Sequence, residues 1–153
     1  MFKRKSQRIF EAQIKRALTG EAQKNALDFA AFLRTNGLSL ERLDDCDGWN
    51  VYIKGINSAF VQFFGDRNNF YVVLHISTYD GESPVDDDLK EFAWAHVLLC
   101  PQGCGGPAFC EESQNRRTIF GKEFESTCQS PLAFLNPDAN EIKKVQKLML
   151  TLK

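Results

Sequence analysis

Residues 48–77 of the chain, GWNVYIKGINSAFVQFFGDRNNFYVVLHIS, decide the fold that the sequence predicts. Large apolar side chains alternate with other residues, as at Trp49 and Ile53, and a period of two is typical of a strand with one buried face. Turn residues interrupt this alternation at 55–58 and at 65–68, which divides the stretch into three strands. Because these links are too short for a crossover, the strands are expected to form an antiparallel meander.

Helices are predicted on both sides of this meander. The segments 1–37, 84–99 and 137–153 carry apolar residues three and four positions apart, which is the spacing of one buried helix face. Residues 100–131 are predicted to be an irregular Cys-rich segment, interrupted by a strand around 117–124. The sequence therefore predicts one α+β domain over the whole chain, with an antiparallel sheet of three or four strands and flanking helices.

Composition and charge limit the classes of partner. The chain has 153 residues and a formal net charge of −1, so no whole-protein field attracts nucleic acid or anionic lipid, and neither is expected as a partner. The start of the chain is the basic exception, and we interpret it as a solvated helix face, with a phosphate contact as the alternative. Its basic residues are Lys3, Arg4, Lys5, Arg8, Lys15 and Arg16. The sequence contains no stretch resembling a signal peptide or a membrane span, which predicts a cytoplasmic protein.

Four cysteines surround the least regular part of the chain. Between residues 101 and 107, five of seven residues are Gly or Pro, and such a turn can bring thiolates close together without clashes between side chains. Zinc needs four ligands at tetrahedral corners, and its binding would order a segment with little core of its own. The sequence therefore suggests a structural zinc, with ligands Cys100, Cys104, Cys110 and Cys128.

Two other interpretations of these cysteines stay open. Free cysteines are commonly small buried hydrophobes, which need no metal. Thiol redox chemistry between Cys100 and Cys104 is the third interpretation, although a cysteine at a helix C-terminus lies at the end of the dipole that disfavours a thiolate. His96 stands four residues before Cys100 and could add a nitrogen ligand, but a single His on an apolar face is more often a core residue.

The second face of the meander is aromatic. Its members are expected to be either a second layer of core or the lining of a small-ligand pocket, in which a polar group would orient the ligand. The candidate ligand-binding residues are Tyr52, Phe60, Phe64, Tyr71 and His75.

Motifs of familiar enzyme classes are absent from the sequence, including the phosphate loop, the dinucleotide-binding glycines and the nucleophile elbow. We therefore expect no catalytic residues and a non-enzymatic domain that binds a small ligand or another protein. The alternative is a thiol-dependent enzyme or redox protein that uses Cys100 and Cys104. The sequence does not indicate an oligomeric state.

Three segments carry a resemblance to known sequences: LKEFAWAH at 89–96, RTIFGKEF at 117–124 and NPDA at 136–139. From about Trp49 to its end, the chain resembles a family of uncharacterised bacterial proteins. This resemblance implies a bacterial cytosolic origin and no particular activity. Members of that family have a tighter cysteine cluster after the Trp-Ala-His helix, and the wider spacing of Cys100, Cys104 and Cys110 departs from it.

Overall fold

A computed structural model describes residues 2–44, 46–75, 85–99, 117–125 and 127–151. In these residues the fold is α+β, as the sequence predicts, with an antiparallel sheet of six strands and a separate two-stranded hairpin. The helices are α1 (Phe2–Ala17), α2 (Gly20–Thr35), α3 (Asp87–Ala95) and α4 (Ala139–Thr151). The strands are β1 (Ser39–Arg42), β2 (Gly48–Ile53), β3 (Ile56–Phe64), β4 (Asn69–Leu74), β5 (Val97–Leu99), β6 (Arg117–Ile119), β7 (Lys122–Phe124) and β8 (Thr127–Leu135). The sheet is hydrogen-bonded in the order β1-β2-β3-β4-β8-β5, and β6 and β7 form the hairpin.

The chain divides into two compact units, a division that the sequence does not indicate. The first unit comprises Met1–Val72 and Phe134–Lys153, and the second comprises Val73–Ala133. The first unit therefore holds α1, α2, α4 and the first three strands, and the second holds α3 and the hairpin.

The predicted meander is confirmed, with one shorter turn. β2 and β3 pair antiparallel from Gly48↔Gln62 to Ile53↔Ile56, so the connection is only Lys54-Gly55 and not the predicted 55–58. Both turn residues have positive φ, 51° and 80°, which suits a tight two-residue hairpin. A bulge between Val51 and Tyr52 shifts the register.

The buried face of this meander forms the core of the first unit together with α1. The ring of Phe10 meets Trp49 edge-on at 5.3 Å between centroids and Phe63 at 5.4 Å. Ile14 and Leu18 follow Phe10 at helical spacing, and all three are fully buried. Burying each such side chain contributes about 1.5–3 kcal/mol, so the apolar stripe of α1 fixes the helix on the sheet.

Strand β1 is absent from the sequence prediction. It pairs antiparallel with β2, from Ser39↔Tyr52 to Arg42↔Trp49, and its four side chains are half-buried or exposed. A strand this short has no clear alternation of its own, and its pairing with β2 supplies the hydrogen bonds that define it.

In the second unit, the helix predicted at 84–99 is shorter than expected. α3 begins after Asp86, whose side chain accepts a hydrogen bond from the Leu89 N–H at 2.8 Å, and it ends at Ala95. Val97–Leu99 form β5, which pairs antiparallel with β8. Part of the segment predicted as irregular is therefore strand, because β8 begins at Thr127.

The strand predicted around 117–124 is a hairpin. β6 and β7 pair antiparallel across Phe120-Gly121, both with positive φ. The indole N–H of Trp94 donates to the Ile119 carbonyl at 2.7 Å, and Lys122 Nζ lies 5.4 Å from the centroid of the Trp94 ring. These contacts fix the hairpin to α3 within the second unit.

The last helix, predicted at 137–153, is confirmed as α4. Asp138 and Glu141 form a reciprocal cap, in which the Glu141 N–H donates to Asp138 Oδ1 at 2.8 Å and the Asp138 N–H donates to Glu141 Oε1 at 3.2 Å. Its apolar stripe is buried, and α4 packs against α2 in the first unit.

Candidate functional site

A groove of about 550 Å³ lies where α1 meets the C-terminal end of α2, entirely within the first unit. We call it the arginine groove, and its lining residues are Arg4, Gln7, Arg8, Glu11, Arg34, Gly37 and Leu38. Four of them lie on α1, where Arg4 and Arg8 are four positions apart and so are Gln7 and Glu11, which places all four on a single helix face. The groove lies within the range of small-molecule sites, roughly 300–1,000 Å³.

One side of the groove is held by a polar network. Gln7 is buried, and its amide nitrogen donates both to Glu11 Oε1 and to the Ala30 carbonyl, each at 2.9 Å. Both N–H groups of that amide are therefore used, and the carbonyl contact joins α1 to α2. Arg34, at the end of α2, pairs with the same Glu11 oxygen at 2.5 Å.

Arg4 and Arg8 form the other side. Within the residues that the structure describes, neither guanidinium makes a hydrogen bond or an ion pair, and both side chains are exposed. They are one helical turn apart, about 6 Å between Cβ atoms, so both can reach one bound group.

The electrostatics of the groove follow from this lining. Among the described lining residues, three arginines and one glutamate give a formal charge of +2, and the other three are neutral. The charge of Arg34 is already neutralised by its ion pair with Glu11. The Arg34 side chain is 58% exposed, and the Glu11 side chain is 25% exposed. The uncompensated charge therefore belongs to Arg4 and Arg8, which can bind an anion through forked N–H donors.

Four of the five predicted ligand-binding residues lie in the first unit, and all are half-buried: Tyr52, Phe60, Phe64 and Tyr71. The Tyr52 hydroxyl donates to Glu41 Oε1 at 3.3 Å. A Cβ added to Gly48 would lie 2.7 Å from the ring of Phe60, so that ring covers the Gly48 backbone. None of the four lines the arginine groove. Their role in binding a ligand stays a prediction.

His75, the fifth predicted residue, lies in the second unit directly after β4 and is half-buried. Burial lowers the pKa of its imidazole, because transfer out of water disfavours the charged form. The ring is therefore predominantly neutral at neutral pH.

The zinc and redox predictions concern residues outside the described part of the chain. Cys100, Cys104 and Cys110 lie there, and of Cys128 only the backbone is described, within β8. Among the described residues, no group of three or more His, Cys, Asp or Glu side chains is arranged to hold a metal ion. His96 is the C-cap of α3, with Nδ1 2.8 Å from the Phe92 carbonyl, a contact typical of a structural histidine.

Arg34 and the groove itself are absent from the sequence prediction. The basic start of the chain is visible in the sequence, and the alternative interpretation of a phosphate contact concerns the same helix. Arg34 lies 26 residues beyond Arg8, so only the packing of α1 on α2 brings the two into one lining.

No protein-family model, curated protein or solved structure matches the chain. The structure itself shows the fold class of the chain, which is α+β with an antiparallel sheet. None of the helices in the described ranges has the length and apolarity needed to cross a bilayer.

Proposed function

We propose that the chain is a non-enzymatic domain that binds a small anionic ligand in the arginine groove. The observation that supports this proposal is the pair Arg4 and Arg8, which line a groove of ligand size and have no partner among the described residues. Two positive charges held side by side repel each other, and a bound anion would relieve this repulsion while accepting their hydrogen bonds.

The lining favours binding over catalysis. Among the described lining residues there is no Ser, Cys, His or Lys, and the one carboxylate, Glu11, is engaged with Arg34 and Gln7. A nucleophile or a general base would need a group available to the ligand, and the groove offers hydrogen-bond donors instead.

The groove is also built on a rigid base. Gln7 ties α1 to the Ala30 carbonyl, and Leu38 follows a left-handed Gly37 that turns the chain back after α2. Donors held in place by helix packing lose little freedom when a ligand binds, which favours affinity.

The test is a comparison of two double variants on the same helix. Arg4→Gln/Arg8→Gln removes both unpaired arginines, and Lys15→Gln/Arg16→Gln removes two exposed charges that do not line the groove. Binding of benzoate and of phenyl phosphate would be followed by titration with backbone amide NMR shifts. We expect the first variant to weaken binding about 10-fold or more, since each charge-assisted hydrogen bond contributes about 1.5–3 kcal/mol.

The control variant should bind within about twofold of the unmodified chain at moderate salt, where long-range attraction is screened. Equal weakening in both variants would mean that the whole basic face attracts anions without a site. Absence of binding by either probe would also refute the proposal.

A further inference from the structure

Charge and donor geometry narrow the class of ligand, on the basis of the proposed function. The described residues of the groove carry a formal charge of +2, and the guanidinium groups of Arg4 and Arg8, unpaired among those residues, lie on one face of α1. A carboxylate has one negative charge and two oxygens, so one arginine fork can satisfy it and the second arginine would keep its uncompensated charge. A phosphate monoester carries about −1.5 to −2 at neutral pH and presents three acceptor oxygens.

We propose that the arginine groove binds the phosphate group of a small phosphate monoester, with Arg4 and Arg8 each donating to it. The double charge of the ligand matches the charge of the lining, and three oxygens provide acceptors for two forked donors.

Glu11 lowers the positive charge of the arginine groove. The Glu11 carboxylate lies in the same lining, so it repels any anion that enters. It also forms an ion pair with Arg34, as the carboxylate of a ligand would. Arg4 and Arg8 attract a dianion about twice as strongly as a monoanion, and Glu11 repels it about twice as strongly. The two arginines therefore supply the preference for the dianion, and Glu11 weakens it.

The size of the groove indicates an ester in place of free phosphate. Its volume of about 550 Å³ exceeds the space that a single phosphate group needs, and the buried Leu38 gives part of the wall an apolar surface. A Cβ added to Gly37 would meet nothing within 4 Å, so this glycine leaves space for an organic group beside the phosphate.

The experiment compares three probes with the same ring: phenyl phosphate, benzenesulfonate and benzoate, each titrated at pH 7.5. We expect phenyl phosphate to bind about 10-fold tighter than either monoanion, a preference that should shrink near pH 5, below the second phosphate pKa of about 6. Inorganic phosphate, which lacks the organic group, should bind more weakly than phenyl phosphate. Arg4→Gln and Arg8→Gln should each reduce the preference.

A second variant tests the role of Glu11. Glu11→Gln keeps the size of the side chain and removes its charge, and we expect it to raise the affinity for phenyl phosphate by a larger factor than the affinity for benzoate, because the repulsion from Glu11 scales with the charge of the ligand. Glu21→Gln, an exposed change in the first turn of α2 outside the groove, is the matched control and should alter neither affinity.

The outcomes separate this inference from the proposed function. If all three probes bind equally and Arg4→Gln/Arg8→Gln still weakens binding, the phosphate inference is wrong and the anion site stands. If no probe binds, both are wrong. Sedimentation with phosphatidylcholine vesicles containing phosphatidic acid tests a lipid as the source of the phosphate, and binding to these vesicles without binding to phenyl phosphate would overturn the small-molecule inference.

Discussion

Gln13 is a polar residue in the core, only 6% exposed, and both ends of its amide have partners. Its Oε1 accepts from the indole N–H of Trp49 at 2.7 Å, and its Nε2 donates to the Asp47 carbonyl at 3.5 Å. A buried N–H without an acceptor is costly, so Gln13 allows the large Trp49 ring to be completely covered. The sequence predicts the burial of Trp49 and gives no sign of its acceptor.

Replacement of Gln13 by Met should therefore destabilise the chain by about 1–3 kcal/mol, because the side-chain volume stays similar and the Trp49 N–H loses its acceptor. Denaturant unfolding measures this difference. Gln62→Met is the control, since Gln62 is half-buried and its side chain makes no hydrogen bond within the described residues. Trp49→Phe removes the N–H donor, so in that background Gln13→Met should lower the free energy of unfolding much less. An equal loss of stability in both backgrounds would refute the role of this hydrogen bond.

The elements differ in how far the sequence determines them. Helices α1, α2 and α4 are predicted because each carries a long apolar stripe, and β2 to β4 are predicted because their alternation is strong. β1 has four residues without such a pattern, and only its partner makes it a strand. For α3, apolar residues keep helical spacing up to Leu99, so the sequence predicts a longer helix. In the structure the chain becomes a strand after His96, because β5 pairs with β8.

The candidate site shows the same limit. The basic face of α1 can be read from residues 3–16, because they are adjacent in sequence. Arg34 and Leu38 join it only through the packing of α1 on α2, and the unpaired state of Arg4 depends on the position of every neighbouring carboxylate. The sequence alone contains no distance between such groups.

The turn between β2 and β3 gives a prediction at the scale of the element. Lys54 adopts a left-handed conformation with φ 51°, which is unfavourable for a residue with a long side chain and is tolerated by Asn. Lys54→Asn should raise the free energy of unfolding by about 0.5–1 kcal/mol. Lys54→Gln is the matched control, because it removes the charge without this tolerance. Equal effects of the two substitutions in thermal or denaturant unfolding would show that charge, and not backbone conformation, is responsible.

At the scale of the whole molecule, acidification should destabilise the chain in two pH windows, one that begins below pH 6.5 and one that begins below pH 3.8. Burial lowers the pKa of His75 from its ordinary 6.5, so between the two values the unfolded chain binds a proton that the folded chain does not. This contribution is present above pH 6.5 and is lost as pH falls through the folded value. The Glu141 N–H, donating to Asp138, lowers the pKa of that carboxyl from 3.8, so its contribution is lost only at still lower pH.

Unfolding measured from pH 8 to pH 2, in roughly half-unit steps, would resolve these windows as slopes of stability against pH. His75→Gln should flatten the slope near neutral pH and leave the acid limb unchanged, and Asp138→Asn should do the reverse. The two residues belong to different units of the chain, so each variant is the control for the other. A neutral-pH slope that persists in His75→Gln would contradict the assignment.

The division of the chain into a continuous unit, Val73–Ala133, and a unit made of two separated stretches has a consequence for synthesis on the ribosome. Residues 1–72 emerge early, but the buried stripe of α4 that packs on α2 comes from residues 142–149. Translation proceeds at roughly 5–20 residues per second, so α4 is synthesised several seconds after the first stretch. During this interval the face of α2 that packs against α4 in the folded chain is without its partner.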